Sequence, residues 1–161
     1  MTTATAARLF ADVSVGDELP PLTYDVTATT VVLGALATRD WRPQHHDYHF
    51  ATERNGVRDI FINAPNQAAW FERYVTDWTG PRGRLGRVGF RMKDSVFPGD
   101  SMTFTGRVTD VSTDAQGCGW VSLDLAVHVG DRLCTTCTAR VALPTDPDDN
   151  PWSRRGETWQ P

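Results

Sequence analysis

The sequence lacks a long run of apolar residues, and no segment approaches the roughly 20 residues needed to span a bilayer. An excess of positive charge is also missing, because 20 acidic residues outnumber 16 Lys and Arg and the net charge is −4. That balance argues against the broad basic face with which proteins neutralise nucleic-acid phosphates. The N-terminal residues contain no basic segment leading into an apolar one, so we expect no signal peptide.

Cysteine is scarce, with Cys118, Cys134 and Cys137 alone in 161 residues. An odd number favours a reducing compartment over a disulfide framework, so we expect a cytoplasmic protein. Cys134 and Cys137 have the spacing of a redox or zinc motif. They fall in an alternating segment, however, where residues three apart point to opposite faces of a strand. No second pair completes a zinc site, so we expect ordinary strand cysteines.

A sizeable core is nevertheless available, since 40% of the residues are hydrophobic and six Trp and seven Phe are present. A chain of 161 residues is expected to form one domain. Residues 27–38 have apolar side chains at helical spacing, although their β-branched residues make a strand an alternative. Alternating apolar residues predict strands near residues 22–26, 85–92, 102–108, 121–127 and 133–143.

The clearest helix is predicted to begin after Asn63. Asn is a favourable N-cap residue, and Pro65 suits the first turn, where its missing N–H is not needed. Gly80 and Pro81 end the segment. Its apolar side chains recur on one face: Trp70, Phe71, Tyr74, Val75 and Trp78. One substantial helix and an antiparallel meander predict an α+β domain whose sheet buries its inner face on the helix.

Turn signals separate the predicted strands. Phe97-Pro98-Gly99-Asp100 has Pro and Gly where a type II turn requires them. Gly130-Asp131 is typical of a tight hairpin, and residues 113–117 connect the two middle strands. The strands are therefore expected to follow one another as antiparallel neighbours.

The last segment, residues 144–161, is rich in Pro, Asp and Arg. We therefore expect a domain over residues 1–143, followed by an extended tail outside the core. The tail is expected to be either mobile or draped on a partner. Trp152 and Trp159 favour draping, because exposed indoles are poorly suited to free coil.

The segment from Arg39 to His49 carries the densest set of reactive side chains and permits three interpretations. His45 and His49 have the i, i+4 spacing of a zinc-binding helix, but Pro43 interrupts the segment and no established ligand motif is present. A polar surface loop is the second interpretation, because loops are polar by default. In the third, Asp40 and His45 form an acid–base pair.

Two motifs carry a resemblance to a known family. Asp40-x-x-Pro43-x-His45 resembles the Asp-x-Asn-Pro-x-His motif of MaoC-like (R)-specific enoyl-CoA hydratases and dehydratases, and residues 96–102 resemble that family's Phe-Pro-Gly-Asp element. The predicted central helix lies between the motifs, as in the family. The resemblance implies a hot-dog fold, in which an antiparallel sheet wraps around one long helix. Four segments are similar to the small catalytic subunit of actinobacterial steroid side-chain enoyl-CoA hydratases: residues 37–40, 45–47, 59–63 and 73–78.

The resemblance implies hydration of a 2-enoyl-CoA thioester, or the reverse dehydration, with Asp40 and His45 as the catalytic pair. The steroid relatives imply a bulky acyl chain, and no metal or other cofactor is expected. The family has Asn where Arg42 stands, and its His-Gly at the helix start corresponds to Asn63-Ala64. Asn63 and Ala64 are therefore expected to bind substrate, with the Ala64 N–H stabilising charge that develops on the thioester oxygen.

An acyl-CoA substrate also carries phosphates. Arg84, Arg87 and Arg91 belong to the most basic part of the chain and are expected to bind them. A solvated basic surface without a ligand is an equal alternative. His46 and His49 are left without an assigned role.

Two alternatives to a hydratase share the fold. A hot-dog thioesterase usually has a carboxylate on the central helix, where Glu72 stands beside Arg73, although a surface ion pair is a simpler role for Glu72. A non-catalytic subunit, active only through another chain, is the second. Hot-dog domains pair through their sheets, so the resemblance implies a homodimer or a heteromer with a second hot-dog subunit. No nucleic-acid or membrane partner is expected.

Overall fold

Five antiparallel strands form one sheet packed on a long helix in the computed structural model, which describes residues 7–161. The strands are β1 (Glu18–Asp25), β2 (Arg84–Met92), β3 (Ser101–Thr113), β4 (Gly119–Val129) and β5 (Arg132–Leu143), in the order β1-β3-β4-β5-β2. The helices are α1 (Ala28–Ala37) and α2 (Ala64–Thr79). The predicted α+β class is confirmed, and the first six residues of the predicted domain lie outside the described part. Within residues 7–161, neither helix is long and apolar enough to cross a membrane.

Three strands are longer than the apolar alternation predicts, and β4 extends the prediction by two residues at each end. β1 begins at Glu18 rather than near Leu22. The apolar alternation misses its first residues because Pro20 and Pro21 interrupt the pattern, at an irregularity in the pairing with β3. Proline is tolerated there, since β1 is an edge strand. β3 continues to Thr113, because its last residues pair with the start of β4 through backbone groups, which do not require apolar side chains.

The apolar face of α2 forms the centre of the core. Phe71 and Tyr74 are buried, and their rings lie 5.3 Å and 5.7 Å from the ring of Phe104 on β3. Gly106 leaves room beside these rings, since a Cβ there would lie 2.6 Å from a Leu125 methyl group and 3.3 Å from the Tyr74 ring. Burial of one such aromatic side chain contributes about 1.5–3 kcal/mol, so these contacts hold α2 firmly to the sheet.

The predicted turn at residues 97–100 is present and leads into β3. Gly99 has φ 86°, the left-handed value that a type II turn requires at this position. The Asp100 carboxylate accepts the backbone N–H of the turn's first residue at 2.9 Å. It also pairs with the guanidinium groups of Arg58 and Arg132. Because Arg132 begins β5, this ion pair ties the turn to the other half of the sheet.

The cysteines are structural, as predicted. Cys134 and Cys137 lie in β5, and they and Cys118 are buried and free. Burial raises the pKa of the Cys137 thiol to about 12 and also raises the pKa of the other two thiols. Such thiols stay protonated at neutral pH and are poor nucleophiles and poor metal ligands.

The C-terminal tail packs on the protein's own sheet, which corrects the expectation of a mobile or partner-bound segment. Trp159 lies 4.9 Å from Trp120 of β4, measured between ring centroids, and the Arg84 guanidinium lies 3.6 Å from the Trp159 ring centre. Arg84 also donates to the carbonyl oxygens of Pro151 at 3.1 Å and Arg154 at 3.0 Å. Composition alone could not place the tail, because the residues that hold it belong to distant strands.

We expect Trp159→Ala to lower the free energy of unfolding by about 1–2 kcal/mol, because it removes an aromatic contact and a cation–π contact together. Trp152→Ala is the matched control. Trp152 is 51% exposed and its ring centre lies 5.5 Å from the Arg84 guanidinium, so its loss should cost less than about 0.5 kcal/mol. Urea unfolding followed by circular dichroism measures both variants. Equal losses in the two would contradict the packing of Trp159.

Candidate active site

The end of α1 determines where Asp40 lies. Arg39 has φ 54° and is the one non-glycine residue in the left-handed region among residues 7–161. Its N–H donates to Leu36 O at 3.1 Å, and the N–H of Asp40 donates to Ala35 O at 2.9 Å. This pair of hydrogen bonds is the Schellman motif that ends many helices. Asp40 is therefore positioned by the helix end rather than by a free loop.

His45 approaches Asp40 from the short helical turn Pro43–His45. It is 4% exposed, and its Nδ1 lies 2.7 Å from the carbonyl oxygen of Phe61. A carbonyl only accepts, so Nδ1 carries a hydrogen and Nε2 is the nitrogen that faces Asp40. Nε2 and Asp40 Oδ2 are 3.6 Å apart, which is too far for a direct hydrogen bond. One oxygen atom that lies to the side of the line joining them can instead be within hydrogen-bond distance of both.

Asn63 joins the start of α2 to this pair. It precedes the helix as predicted, but its side chain makes no capping hydrogen bond. Instead, Nδ2 donates to Asp40 Oδ2 at 3.0 Å and to Thr38 Oγ1 at 2.9 Å. The expected capping role of the side chain is therefore wrong, because the two hydrogen bonds of Nδ2 hold the amide in an orientation in which Oδ1 accepts from no helix N–H group. Asn63 is 1% exposed, and its Oδ1 has no hydrogen-bond partner within residues 7–161.

These contacts favour an ionised Asp40. The hydrogen bond from Asn63 has the largest effect and lowers the pKa of Asp40, while burial opposes it. A backbone hydrogen bond from Arg42 at 3.3 Å and the charges of His45 and Arg42 lower the pKa further. The net pKa lies below its ordinary value, so Asp40 is a carboxylate at neutral pH and accepts rather than donates a hydrogen bond.

A cavity of about 480 Å³ opens over these groups, between the end of α1 and the start of α2. Asp40, His45, Asn63 and Ala64 all line it, which brings four of the predicted site residues together. Ala64 is the first residue of α2, so its N–H has no acceptor within the helix and lies at the positive end of 16 aligned peptide units. Pro65 has no N–H, so of these two lining residues Ala64 alone has a backbone donor.

Arg84 and Arg87 do not reach this cavity. Strand β2 rises about 3.3 Å per residue, so Arg84 lies roughly 26 Å along the strand from Met92, the β2 residue that lines the cavity. Arg84 is held by the tail, and Arg87 Nη2 donates to Pro161 O at 3.0 Å. The structure therefore does not place this pair at the cavity, and backbone oxygens of the tail accept hydrogen bonds from both guanidinium groups. Phosphate binding by the pair stays a prediction.

Arg91 lies on the outward face of the sheet. It lines a larger concavity of about 900 Å³ together with Arg107, Asp124 and Thr138. These side chains alternate along their strands with the buried ones that pack on α2, so the sheet separates this concavity from Asp40. The smaller cavity is the candidate active site in spite of its size, because it contains the Asp40 and His45 side chains and the start of α2.

Seven further residues line the cavity and were not predicted as site residues, and three of them lie beside Asp40 or Asn63. Arg39 and Arg42 line it on either side of Asp40, and Thr38 lines it beside Asn63. A Thr or Arg next to a reactive residue belongs to no motif. Their closeness to Asp40 in the chain is the one signal that sequence offered.

The other candidates lie away from the cavity. Glu72 is exposed, and its neighbour Arg73 pairs with Asp77 at 3.3 Å instead of with Glu72 as expected. His49 pairs with Glu53 at 3.2 Å on the surface. In the part of the chain that the structure describes, no group of three or more His, Cys, Asp or Glu side chains is arranged to hold a metal ion.

Comparisons with known proteins identify relatives of this fold. No protein-family model matches the chain. The 3-oxo-4,17-pregnadiene-20-carboxyl-CoA hydratase beta subunit of Mycobacterium tuberculosis is 40% identical over 98 residues, which are 61% of this chain and 75% of that protein. A chain of the M. tuberculosis ChsH1–ChsH2 complex is 32% identical and superimposes with a TM-score of 0.74, over 81% of this chain and 98% of that one. A MaoC-like dehydratase from Rhodospirillum rubrum shares the fold at 17% identity and a TM-score of 0.76, over 88% and 99% of the two chains.

An antiparallel five-stranded sheet packed on one long helix defines a hot-dog protein, and these neighbours confirm the predicted fold. The chain belongs to the MaoC-like (R)-specific enoyl-CoA hydratase/dehydratase family, as its motifs predict. Its similarity to the M. tuberculosis beta subunit also confirms the predicted resemblance to steroid side-chain hydratases.

Asp40 should contribute pH-dependent stability. Its lowered pKa means that the folded protein binds this proton more weakly than the unfolded chain does. The contribution is therefore complete well above the unfolded value of about 3.9 and is lost as pH falls through the lower folded value. We expect the difference in unfolding free energy between wild type and Asp40→Asn to be constant from pH 7 to about pH 5 and to shrink below about pH 4. Urea unfolding across this pH range measures the difference in unfolding free energy. A difference that grows toward acid pH would contradict a lowered pKa of Asp40.

Gly34 sets how closely α1 approaches α2, and so where Asp40 lies. A Cβ at Gly34 would overlap the buried side chain of Asn66. We expect Gly34→Ala to force the helices apart and to lower the free energy of unfolding by about 1–3 kcal/mol, even though Ala favours a helix. Leu36→Ala, at an exposed position of the same helix, should change it by less than about 0.5 kcal/mol. Chemical denaturation compares them, and a stabilised Gly34→Ala variant would rule out the close contact.

Proposed function

We propose that this chain hydrates a 2-enoyl-CoA thioester to a 3-hydroxyacyl-CoA, or catalyses the reverse dehydration, with Asp40 and His45 as the catalytic pair. The observation that carries the proposal is the 3.6 Å separation of Asp40 Oδ2 and His45 Nε2 within one cavity. At this separation one water oxygen can lie about 2.8 Å from each atom, and it would then contact a carboxylate acceptor and an imidazole nitrogen together. Family membership supports the same reaction.

In the proposed addition, Asp40 acts as the base. The carboxylate takes a proton from water while the water oxygen bonds to Cβ of the enoyl group. The π electrons of the double bond move toward Cα and the thioester carbonyl, giving an enolate. The proton that Asp40 accepted then passes to Cα, with His45 Nε2 sharing in the transfer. The elements of water are thereby added, and Asp40 is again ionised. A positioned acid or base contributes about 10²–10⁴-fold to such a rate, and dehydration uses the same groups in reverse.

The enolate oxygen needs a donor, and we assign it the Ala64 N–H. This group lies at the positive end of α2 and lines the same cavity as Asp40 and His45. Charge on the thioester oxygen exists in the transition state rather than in the substrate, so a donor placed there accelerates the reaction instead of only tightening binding. One such donor is worth about 10²–10³-fold in rate.

Within this reaction we propose a bulky, steroid-like acyl chain and a heteromeric assembly. The support for the acyl chain is similarity to a subunit whose name gives a pregnadiene carboxyl-CoA as its substrate. The same relative is a beta subunit, and the similar solved structure is a complex of two proteins. A second hot-dog subunit is therefore the proposed partner.

The two alternatives have less support. A thioesterase of this fold would use a carboxylate on the central helix, but Glu72 is exposed and does not line the cavity. A non-catalytic subunit has no need of a buried His directed at an ionised Asp. Asp40 and His45 are both present and face one another in this chain, which favours the catalytic subunit.

Asp40→Asn and His45→Gln should each lower kcat at least about 10²-fold while the protein stays folded. Asn at position 40 still accepts the hydrogen bond from Asn63, and Gln at position 45 keeps a donor near Phe61 O. Hydration is followed by loss of the enoyl absorbance, with CoA thioesters from short linear to steroidal acyl chains. Each variant is assayed alone and together with a second hot-dog subunit.

His49→Gln is the matched control, because His49 is exposed and pairs with Glu53, and it should retain the wild-type rate. Near-wild-type turnover in both the Asp40 and His45 variants would falsify the catalytic assignment. Release of free thiol from acyl-CoA without hydration would favour a thioesterase. A folded wild-type chain that is inert alone and active with a second subunit would support the heteromer.

A further inference from the structure

We propose that Thr38 is a positioning residue for this reaction: its hydroxyl orients the amide of Asn63, and that amide holds the Asp40 carboxylate toward His45. The proposal rests on the proposed function for the reaction that it serves. The contacts that carry it are the 2.9 Å hydrogen bond from Asn63 Nδ2 to Thr38 Oγ1 and the 3.0 Å hydrogen bond from the same nitrogen to Asp40 Oδ2.

The end of α1 takes the one hydrogen of the Thr38 hydroxyl. Oγ1 lies 2.8 Å from Gly34 O and 3.2 Å from Ala35 O, and both carbonyl groups only accept. Toward Asn63 the hydroxyl therefore presents a lone pair. An acceptor at that place selects the NH₂ side of the amide over its oxygen.

The same NH₂ group serves Asp40. Its two hydrogens diverge from one planar nitrogen, so one reaches Thr38 while the other reaches Asp40. Turning the amide over would place Oδ1 of Asn63 against a carboxylate and a hydroxyl lone pair, and both contacts would be repulsive. The orientation is thus determined from two sides. Within residues 7–161, Oδ1 has no hydrogen-bond partner. The hydrogen bonds of Nδ2 are therefore the polar contacts that orient the amide.

Asp40 depends on this restraint. The last torsion of an Asp side chain is broad, and a rotation there would turn Oδ2 away from His45 Nε2. The other oxygen accepts a longer hydrogen bond of 3.3 Å from the Arg42 N–H, in an exposed loop. The charged groups around Asp40 are His45 from the short turn, Arg39 at the end of α1 and Arg42, while Asn63 faces it from α2. Of these contacts, the one through Asn63 is anchored to α1 by Thr38.

The test compares Thr38→Val, which removes the hydroxyl at nearly constant volume, with Thr38→Ser, which keeps it. We expect Thr38→Val to raise the pKa of Asp40, measured on its side-chain carboxyl carbon by NMR, by about 0.5–1 unit. In the hydration assay kcat should fall about 3–30-fold, with KM changed less than about twofold. Thr38→Ser should leave the pKa of Asp40 and kcat near their wild-type values, because Ser keeps the hydroxyl. An effect of side-chain volume alone would instead appear in Thr38→Ser, which lacks the methyl group, and not in Thr38→Val.

Thr38→Ala is a second variant without the hydroxyl, should valine disturb the helix end. Asn63→Ala tests whether Thr38 acts on Asp40 through the amide of Asn63. If Thr38 acts through Asn63, adding Thr38→Val to Asn63→Ala should cause no further rise in the pKa of Asp40. An additional rise in the double variant would mean that Thr38 acts on Asp40 by another path and would overturn the proposal.

An unchanged Asp40 titration in both hydroxyl-free variants, accompanied only by lower stability, would also overturn it. The NMR titration needs no turnover. A chain that hydrates no enoyl-CoA, alone or with a partner subunit, would therefore defeat the proposed function while the titration still decides the role of Thr38.

Discussion

The hydrogen bond from the Asn63 amide to the Asp40 carboxylate joins the ends of two helices, and the candidate site depends on it. Asp40 follows α1 and Asn63 precedes α2, so a 3.0 Å contact between them requires both helix ends to be placed closely. Gly34 allows the approach by leaving room for the side chain of Asn66. This junction lowers the pKa of Asp40 and brings Asp40 and Ala64 to the same cavity.

The two helix ends have opposite electrostatic character. The C-terminal end of α1 carries partial negative charge and would disfavour a carboxylate, whereas the N-terminal end of α2 carries partial positive charge. Asp40 lies between them and is stabilised by the amide that α2 brings. The same end of α2 carries the N–H of Ala64, so one helix terminus lowers the pKa of Asp40 and, in the proposed reaction, would also offer a donor to the developing oxyanion. The proposed acid–base groups and the proposed oxyanion donor thereby line one cavity.

The arginines show that tertiary contacts, rather than the local density of positive charge, determine which cations lie at the cavity. Arg84 and Arg87 are close in sequence to other cations, yet both donate hydrogen bonds to backbone oxygens of the C-terminal tail. A guanidinium group has five N–H donors and no acceptor, so a nearby segment with free carbonyls competes directly with a phosphate. Arg39 and Arg42, which belong to no basic run, are the arginines that line the cavity.

By itself the sequence determined the features that depend on neighbours in the chain: the alternation of the strands, the start of α2 after Asn63, the turn at residues 97–100 and the pairing of motifs that marks the family. The start of β1 and the end of β3 could not be predicted from the sequence. The first lies at an irregularity in the pairing of an edge strand, and the second pairs through backbone groups, so neither has an alternating apolar pattern. Only the tertiary structure decided which group the Asn63 amide binds and where the tail lies. Asn63 and Asp40 are 23 residues apart, and Arg84 and Pro151 are 67 apart. Contacts at such separations form only after folding has brought both partners together, so their competition with local alternatives cannot be judged from either segment alone.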